Sequence, residues 1–65
     1  MKVRVNGETR EVRATNLAAL IAELDYGEAL VATARNQTFV RGKDRAQTQI
    51  AEGDEIEILT PRQGG

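Results

Sequence analysis

Asn6-Gly7 sits between two short runs, MKVRV and ETREV, and few local sequences leave the backbone less choice. MKVRV alternates strictly, Val3 and Val5 on one side and Lys2 and Arg4 on the other, as a strand with one buried face does. Asn and Gly both tolerate the positive φ that a two-residue type I′ turn demands. The chain is therefore expected to reverse at residues 6–7 and return as a second strand over Thr9 to Arg13, with Val12 facing inward.

The period then changes from two to nearly four. Leu17, Leu20, Ile21 and Leu24 fall at i, i+3, i+4 and i+7, one apolar stripe along a helix, and Ala18, Ala19 and Ala22 add propensity. Asn16 is placed to cap that helix by accepting from an early backbone N–H. With Ala at position 19 there is no capping box, and the first turn carries no acidic residue. Asp25-Tyr26-Gly27 should close the helix, with Gly27 as the left-handed residue.

Leu30 to Arg35 reads as a third strand, its Ala32 and Ala34 small enough to let the helix pack close. Asn36-Gln37 turns the chain into a short fourth strand, Thr38 to Arg41, and residues 42–52 are polar and irregular, anchored by Ile50. Glu52-Gly53-Asp54 is a turn into the last strand, Glu55 to Thr60, with Ile56 and Ile58 inward. Pro61 cannot donate to a ladder and closes the sheet. The order is ββαβββ, an α+β arrangement in which one helix covers one face of a mixed sheet. A single domain is expected over residues 1–60, with residues 61–65 as a flexible tail.

The expected core is Val3, Val5, Val12, Leu17, Leu20, Ile21, Leu24, Ile50, Ile56 and Ile58. Strict alternation assigns Lys2, Arg4, Val31, Thr33, Arg35, Glu57 and Leu59 to the face turned away from the helix. Glu52, Asp54, Glu55 and Glu57 then read as a solvated turn and outer strand face, and Arg35, Arg41, Lys43 and Arg45 as a solvated edge.

Composition narrows the chemistry. The 65 residues include neither Cys nor His, which removes thiolate chemistry, disulfides, the commonest metal ligand and the usual acid/base group near neutral pH. With 9 basic residues against 10 acidic ones, there is no positive field for nucleic acid. No segment reads as a signal peptide or membrane span, so a cytoplasmic protein is expected. What remains is the tail, TPRQGG, which ends in two residues that stabilise nothing. At a glycine usage of about 7%, a terminal Gly-Gly arises by chance in roughly one chain in 200. Five extended residues reach at most roughly 17 Å, a thin arm ending in a carboxylate and suited to a narrow channel. A carboxylate must be activated before a nucleophile can attack it, and no phosphate-binding loop is present to do so. Activation must come from a partner, which makes the chain a substrate in its own chemistry rather than an enzyme.

Several features together resemble the ThiS family, the sulfur carriers of thiamine biosynthesis with the ubiquitin-like β-grasp fold. They are the strand-Asn6-Gly7-strand opening, the helix beginning near Asn16, the Ala-rich strand ending in Asn36, Glu52-Gly53-Asp54-Glu55 leading into an apolar strand, and the terminal Gly64-Gly65. The likeness covers essentially the whole chain. It implies that an E1-like adenylyltransferase, using ATP and Mg²⁺, activates Gly65 as an acyl-adenylate. A persulfide donor then leaves a thiocarboxylate there, and thiazole synthase takes the sulfur. Gly65 would carry the reactive group, Gly64 would give access, and Arg62 and Gln63 would line the route into the partner. The chain itself would bind no cofactor or metal and would be monomeric when free. Arg35 stands where the family usually has an apolar residue. Leu59, outward on the strand that feeds the tail, is expected to be the docking point of the activating enzyme, with Arg35 and Glu57 at its rim. Three other readings share the fold: a molybdopterin-synthase-type carrier, a ubiquitin-like modifier joined through Gly65, and a plain interaction module with a frayed end.

Overall fold

Two hairpins of the same design frame the sheet, in a computed structural model that describes residues 1–26 and 30–60. Strands β1 (Lys2–Val5) and β2 (Glu8–Glu11) pair antiparallel with Val5 opposite Glu8, leaving Asn6 and Gly7 as the loop. Their φ angles of 53° and 86° are both positive, as a type I′ turn requires. Strands β3 (Ala32–Arg35) and β4 (Thr38–Val40) repeat the arrangement, with Arg35 opposite Thr38 and Asn36 and Gln37 at φ 50° and 72°. Strand β5 (Glu55–Leu59) runs between the hairpins, parallel to β1 and antiparallel to β3, so the sheet order is β2-β1-β5-β3-β4. The expected ββαβββ order is the observed one.

Helix α1 (Leu17–Glu23) is only two turns long, so its ends and its packing decide its stability. The Asn16 side chain accepts from the Ala19 N–H at 2.8 Å, as expected. At the other end Tyr26 N–H donates to Ile21 O and Asp25 N–H to Ala22 O, both at 3.1 Å, with Asp25 at φ 69°. This is a Schellman cap whose left-handed residue is Asp25; the expected left-handed Gly27 lies outside the described residues. Leu17 and Leu20 are wholly buried and Ile21 nearly so, against Val3, Val5, Val12, Ile50, Ile56 and Ile58. Ala14 and Val40 complete the core, while Leu24 packs on it only half-buried. Residues 42–47, expected to be irregular, form a 3₁₀ helix, Gly42–Gln47. Beyond it an isolated bridge of Asn16 to Gln49 ties the chain to the start of α1. Among the described residues no helix is long and apolar enough to cross a membrane.

One expectation is inverted. Thr33 is opposite Ile58 and Val40, so it faces the helix side and is 2% exposed. Ala32 and Ala34 therefore lie on the open face, and Val31 packs against the core instead of pointing away from it. A polar residue is tolerated inside because its hydroxyl donates to Val40 O at 2.7 Å and accepts from Arg45 Nε at 3.0 Å. Arg45 also donates to Val31 O at 2.6 Å, so this member of the expected solvated edge is an internal fastener.

The second turn departs from the first in one residue, Gln37 standing where Gly7 stands. A Gln at positive φ carries a steric cost that Gly does not, roughly 1 kcal/mol. Gln37→Gly is expected to raise stability by about that amount and Tm by roughly 4–8 °C, as measured by thermal unfolding.

Candidate functional site

The candidate residues Arg62 to Gly65 follow β5 in the chain, so the groups that hold this strand are the described part of the candidate site. Its first half is fixed by Asn36 and Asp54. Asn36 N–H donates to Glu55 O at 2.7 Å, and Glu55 N–H donates back to Asn36 Oδ1 at 2.9 Å. Asp54, 8% exposed, accepts from Arg35 Nε at 2.7 Å, Asn36 Nδ2 at 3.1 Å and Ala51 N–H at 2.8 Å. Burial alone raises the pKa of this carboxyl, but the backbone bond from Ala51, the bonds from Arg35 and Asn36 and the Arg35 charge outweigh it, leaving the pKa below its usual value. Asp54 is thus not part of a solvated turn but a buried, fully bonded anion. The second half of β5 is fixed by Asn6, whose Oδ1 accepts from Ile58 N–H at 2.9 Å while its Nδ2 donates to Ile58 O at 3.1 Å.

Across the open face the pairing sets Phe39, Ala34 and Glu57 side by side in one row, and Ala32 beside Leu59 in the next. Two alanines between larger neighbours leave a depression. The groove has a volume of about 80 Å³ and is lined by Ala32, Thr33, Ala34, Phe39, Glu57 and Leu59. Phe39 is 68% and Leu59 66% exposed, so each presents most of its apolar side chain to solvent. The tail begins just beyond Leu59, which places the groove at its root.

Leu59 and Glu57 lie on the open face as expected. Arg35 does not: it is paired opposite Ile56, on the helix side, and is held by Asp54. It is therefore no rim residue for the groove. Gly65, Gly64, Gln63 and Arg62 lie outside the described residues. Sequence reasoning misses Phe39, Ala32 and Ala34. The signal is present in Thr38-Phe39-Val40: a two-residue turn locks the parity of β3 to that of β4, so placing Val40 inward sends both Phe39 and Ala34 outward.

A larger concavity of about 500 Å³ lies between Met1, Glu11, Val12, Arg13, Thr15 and Glu23. Its carboxylates are engaged. Glu11 accepts from the Met1 ammonium, and Glu23 accepts from the N–H groups of Arg13 and Ala14. Among the described residues no cluster of His, Cys, Asp and Glu could hold a metal.

Comparison with known proteins agrees with this geometry. The model of the ThiS family matches residues 3–65. A crystal structure of the thiamine biosynthesis protein ThiS from Geobacter metallireducens is 26% identical over all of both chains, with a TM-score of 0.84. A solution NMR structure of a thiamine biosynthesis protein from the same organism is 25% identical over all of this chain and 88% of that one, with a TM-score of 0.81. No individual curated sequence matches. The mixed sheet of five strands with one α-helix among the described residues is thus the β-grasp fold.

The Asp54 cluster makes stability depend on acid in a defined sense. The unfolded chain binds this proton more tightly than the folded one, so unfolding in acid takes up a proton. The contribution is complete well above the ordinary value of 3.8 and is lost as pH falls from there through the lower folded-state value. Urea unfolding followed from pH 7 to pH 2 should show that loss. Asp54→Asn should flatten it and cost about 1–3 kcal/mol at neutral pH.

Proposed function

The chain belongs to the ThiS family, and we propose that it is a sulfur carrier of thiamine biosynthesis in which the Gly65 carboxylate is the reacting group. The observation that carries this reading is the family match itself, which runs through Gly64 and Gly65 and so includes the tail. The chemistry of the chain is consistent with it. Without Cys or His the protein offers no thiolate nucleophile and no imidazole to act as acid or base near neutral pH, which fits a part as substrate and carrier.

A carboxylate oxygen of Gly65 attacks the α-phosphorus of ATP in an E1-like adenylyltransferase, and pyrophosphate leaves with Mg²⁺. The mixed anhydride then has AMP as a good leaving group. The outer sulfur of a persulfide attacks the acyl carbon and AMP departs. A thiol next breaks the S–S bond of the resulting acyl disulfide, leaving the thiocarboxylate on Gly65 and a disulfide on the donor side. Thiazole synthase consumes that sulfur. Gly64, Gln63 and Arg62 occupy the route to the active site, where the missing Cβ of glycine lets the partner's backbone approach.

The activating enzyme docks on the open face around Leu59, with Phe39 as the second apolar contact, Ala32 and Ala34 as the floor between them and Glu57 at the rim. Apolar side chains beside a charged strand face are the composition of a small interface core with a polar rim. The tail that must reach the reaction starts from the same strand.

Intact-mass analysis tests the chemistry. Protein incubated with the adenylating enzyme, ATP, Mg²⁺ and a persulfide donor is expected to gain the mass difference between one sulfur and one oxygen; a product population wholly unchanged in mass overturns the reading. Docking is tested by binding measurements. Leu59→Asp and Phe39→Asp should each weaken association with the adenylating enzyme by about tenfold or more, the loss typical of a contact worth over 1 kcal/mol, with Tm nearly unchanged because both side chains are exposed.

A further inference from the structure

Strand β1 supports β5 only part of the way along. Arg4 N–H donates to Asp54 O and Asn6 N–H to Ile56 O, both at 2.9 Å, and the paired residues are Arg4 with Glu55 and Val5 with Ile56. The next rung needs an acceptor for Ile58 N–H and a donor for Ile58 O. By then the backbone has entered the turn at Asn6 and Gly7 and runs away as β2. A central strand with an unfilled rung would leave both groups without partners. The amide of Asn6 fills it, reproducing with one side chain the acceptor and donor that a longer β1 would have supplied.

The position of that rung matters more than its energy. Ile58 is the last residue of β5 held from the β1 side; Leu59, the next, is opposite Ala32 and forms one wall of the groove. Thr60 and the tail follow. From Thr60 to Gly65 six extended residues span at most roughly 20 Å, so the carboxylate can reach only what lies within that radius of the point where β5 is last held. Release of Ile58 would leave Leu59 held from the β3 side alone, through its pairing with Ala32, so that the end of β5 could tilt about that edge and shift Leu59 in the groove wall. The docking contact and the origin of the arm would then no longer be in fixed relation, and the effective concentration of the carboxylate at a partner's active site would fall.

We propose that Asn6 is a positioning residue for the reaction at the tail: its amide latches Ile58, fixing where the arm leaves the sheet and how Leu59 meets the partner. The inference rests on the carrier reading above. The turn itself does not need the latch, because Gly or Asp would also accept φ near 53°. The pairing of the amide with Ile58 is an addition to the turn, and the two roles can be separated.

The test compares the wild type with Asn6→Gly, which keeps the turn and deletes the latch, and Asn6→Asp, which keeps the acceptor but sets a carboxylate oxygen against Ile58 O. Ile21→Val, a mild core truncation in α1 remote from the latch in the chain, serves as the stability control. Amide hydrogen exchange and ATP–pyrophosphate exchange are measured with the intact protein and its adenylating enzyme, at a temperature where every variant is folded. In Asn6→Gly the Ile58 amide should exchange faster, while that of Glu55, held by Asn36, keeps its protection. With the carrier as varied substrate, kcat/KM should fall about fivefold or more for Asn6→Gly, fall also for Asn6→Asp, and stay near wild type for Ile21→Val. Asn6→Gly kinetics equal to the control overturn the proposal, whatever the amide exchange shows. A wild type that supports no pyrophosphate exchange overturns the carrier reading and this inference with it; a working wild type beside an unimpaired Asn6→Gly overturns the inference alone.

Discussion

The register of the middle strand is set by its backbone ladders to β1 and β3 and pinned at both ends by two side-chain amides, and the rest of the domain follows from that register. Among the described residues β5 is the only strand that touches both hairpins, since the sheet order sets it between β1 and β3. Asn36 grips it at Glu55 and Asn6 grips it at Ile58, each from the first position of a type I′ turn. A slip by one residue would break both grips and turn Ile56 and Ile58, two of the eleven buried core residues, away from the helix side. The turn position suits Asn for two unrelated reasons. It tolerates the left-handed backbone there, and its amide carries an acceptor and a donor at the spacing of a peptide group.

Much of this is legible in the residues themselves. The first hairpin, the Asn16 cap and the helical stripe are local signals in which propensity, period and turn chemistry agree. The parity of β3 is not, because Ala32-Thr33-Ala34 has almost no amphipathic contrast. Small size under a helix is a plausible reason for alanines to face in, and it is overridden here by two long-range facts. Thr33 finds partners in Val40 and Arg45, and antiparallel pairing with Ile58 fixes its side. The role of Asp54 is hidden for a similar reason. Its carboxylate sits in a Gly-containing turn that looks solvated in sequence, and only the approach of Arg35 and Asn36, nearly twenty residues earlier, makes it an internal anion. The same bond takes Arg35 off the expected docking face.

The helix end shows how a short domain settles a conflict between local and global demands. Asp25 carries the left-handed conformation of the Schellman cap although Gly27 is two residues away. The reason lies in the hydrogen bond from Tyr26 to Ile21, which brings Tyr26 back onto the core. Moving the cap to Gly27 would lengthen α1 by two residues and carry Tyr26 away from that contact. The packing of the ring outweighs the modest strain of an Asp at positive φ, since Asp is among the non-glycine residues that bear it best.

On the carrier reading proposed above, the groove beside the end of β5 would suit a partner that must come and go. Leu30, Phe39 and Leu59 are the large apolar side chains most exposed among the described residues, and only Phe39 and Leu59 line the groove. A stable interface buries about 800 Å² on each side and draws its affinity from several anchors. Two anchors over an alanine floor amount to much less, and the neighbouring face of β1 and β5 is charged, with Lys2, Arg4, Glu55 and Glu57 exposed. A carrier loaded by one enzyme and emptied by another gains nothing from tight binding to either, because turnover is then limited by dissociation. Weak docking has a cost of its own: the carboxylate must find the active site within a short encounter. A rigid origin for the arm relieves that cost, because a tail anchored at a fixed point searches a smaller volume than one whose root frays. On the proposed reading the small groove and the latched strand would belong together, the first keeping the encounter brief and the second making a brief encounter sufficient.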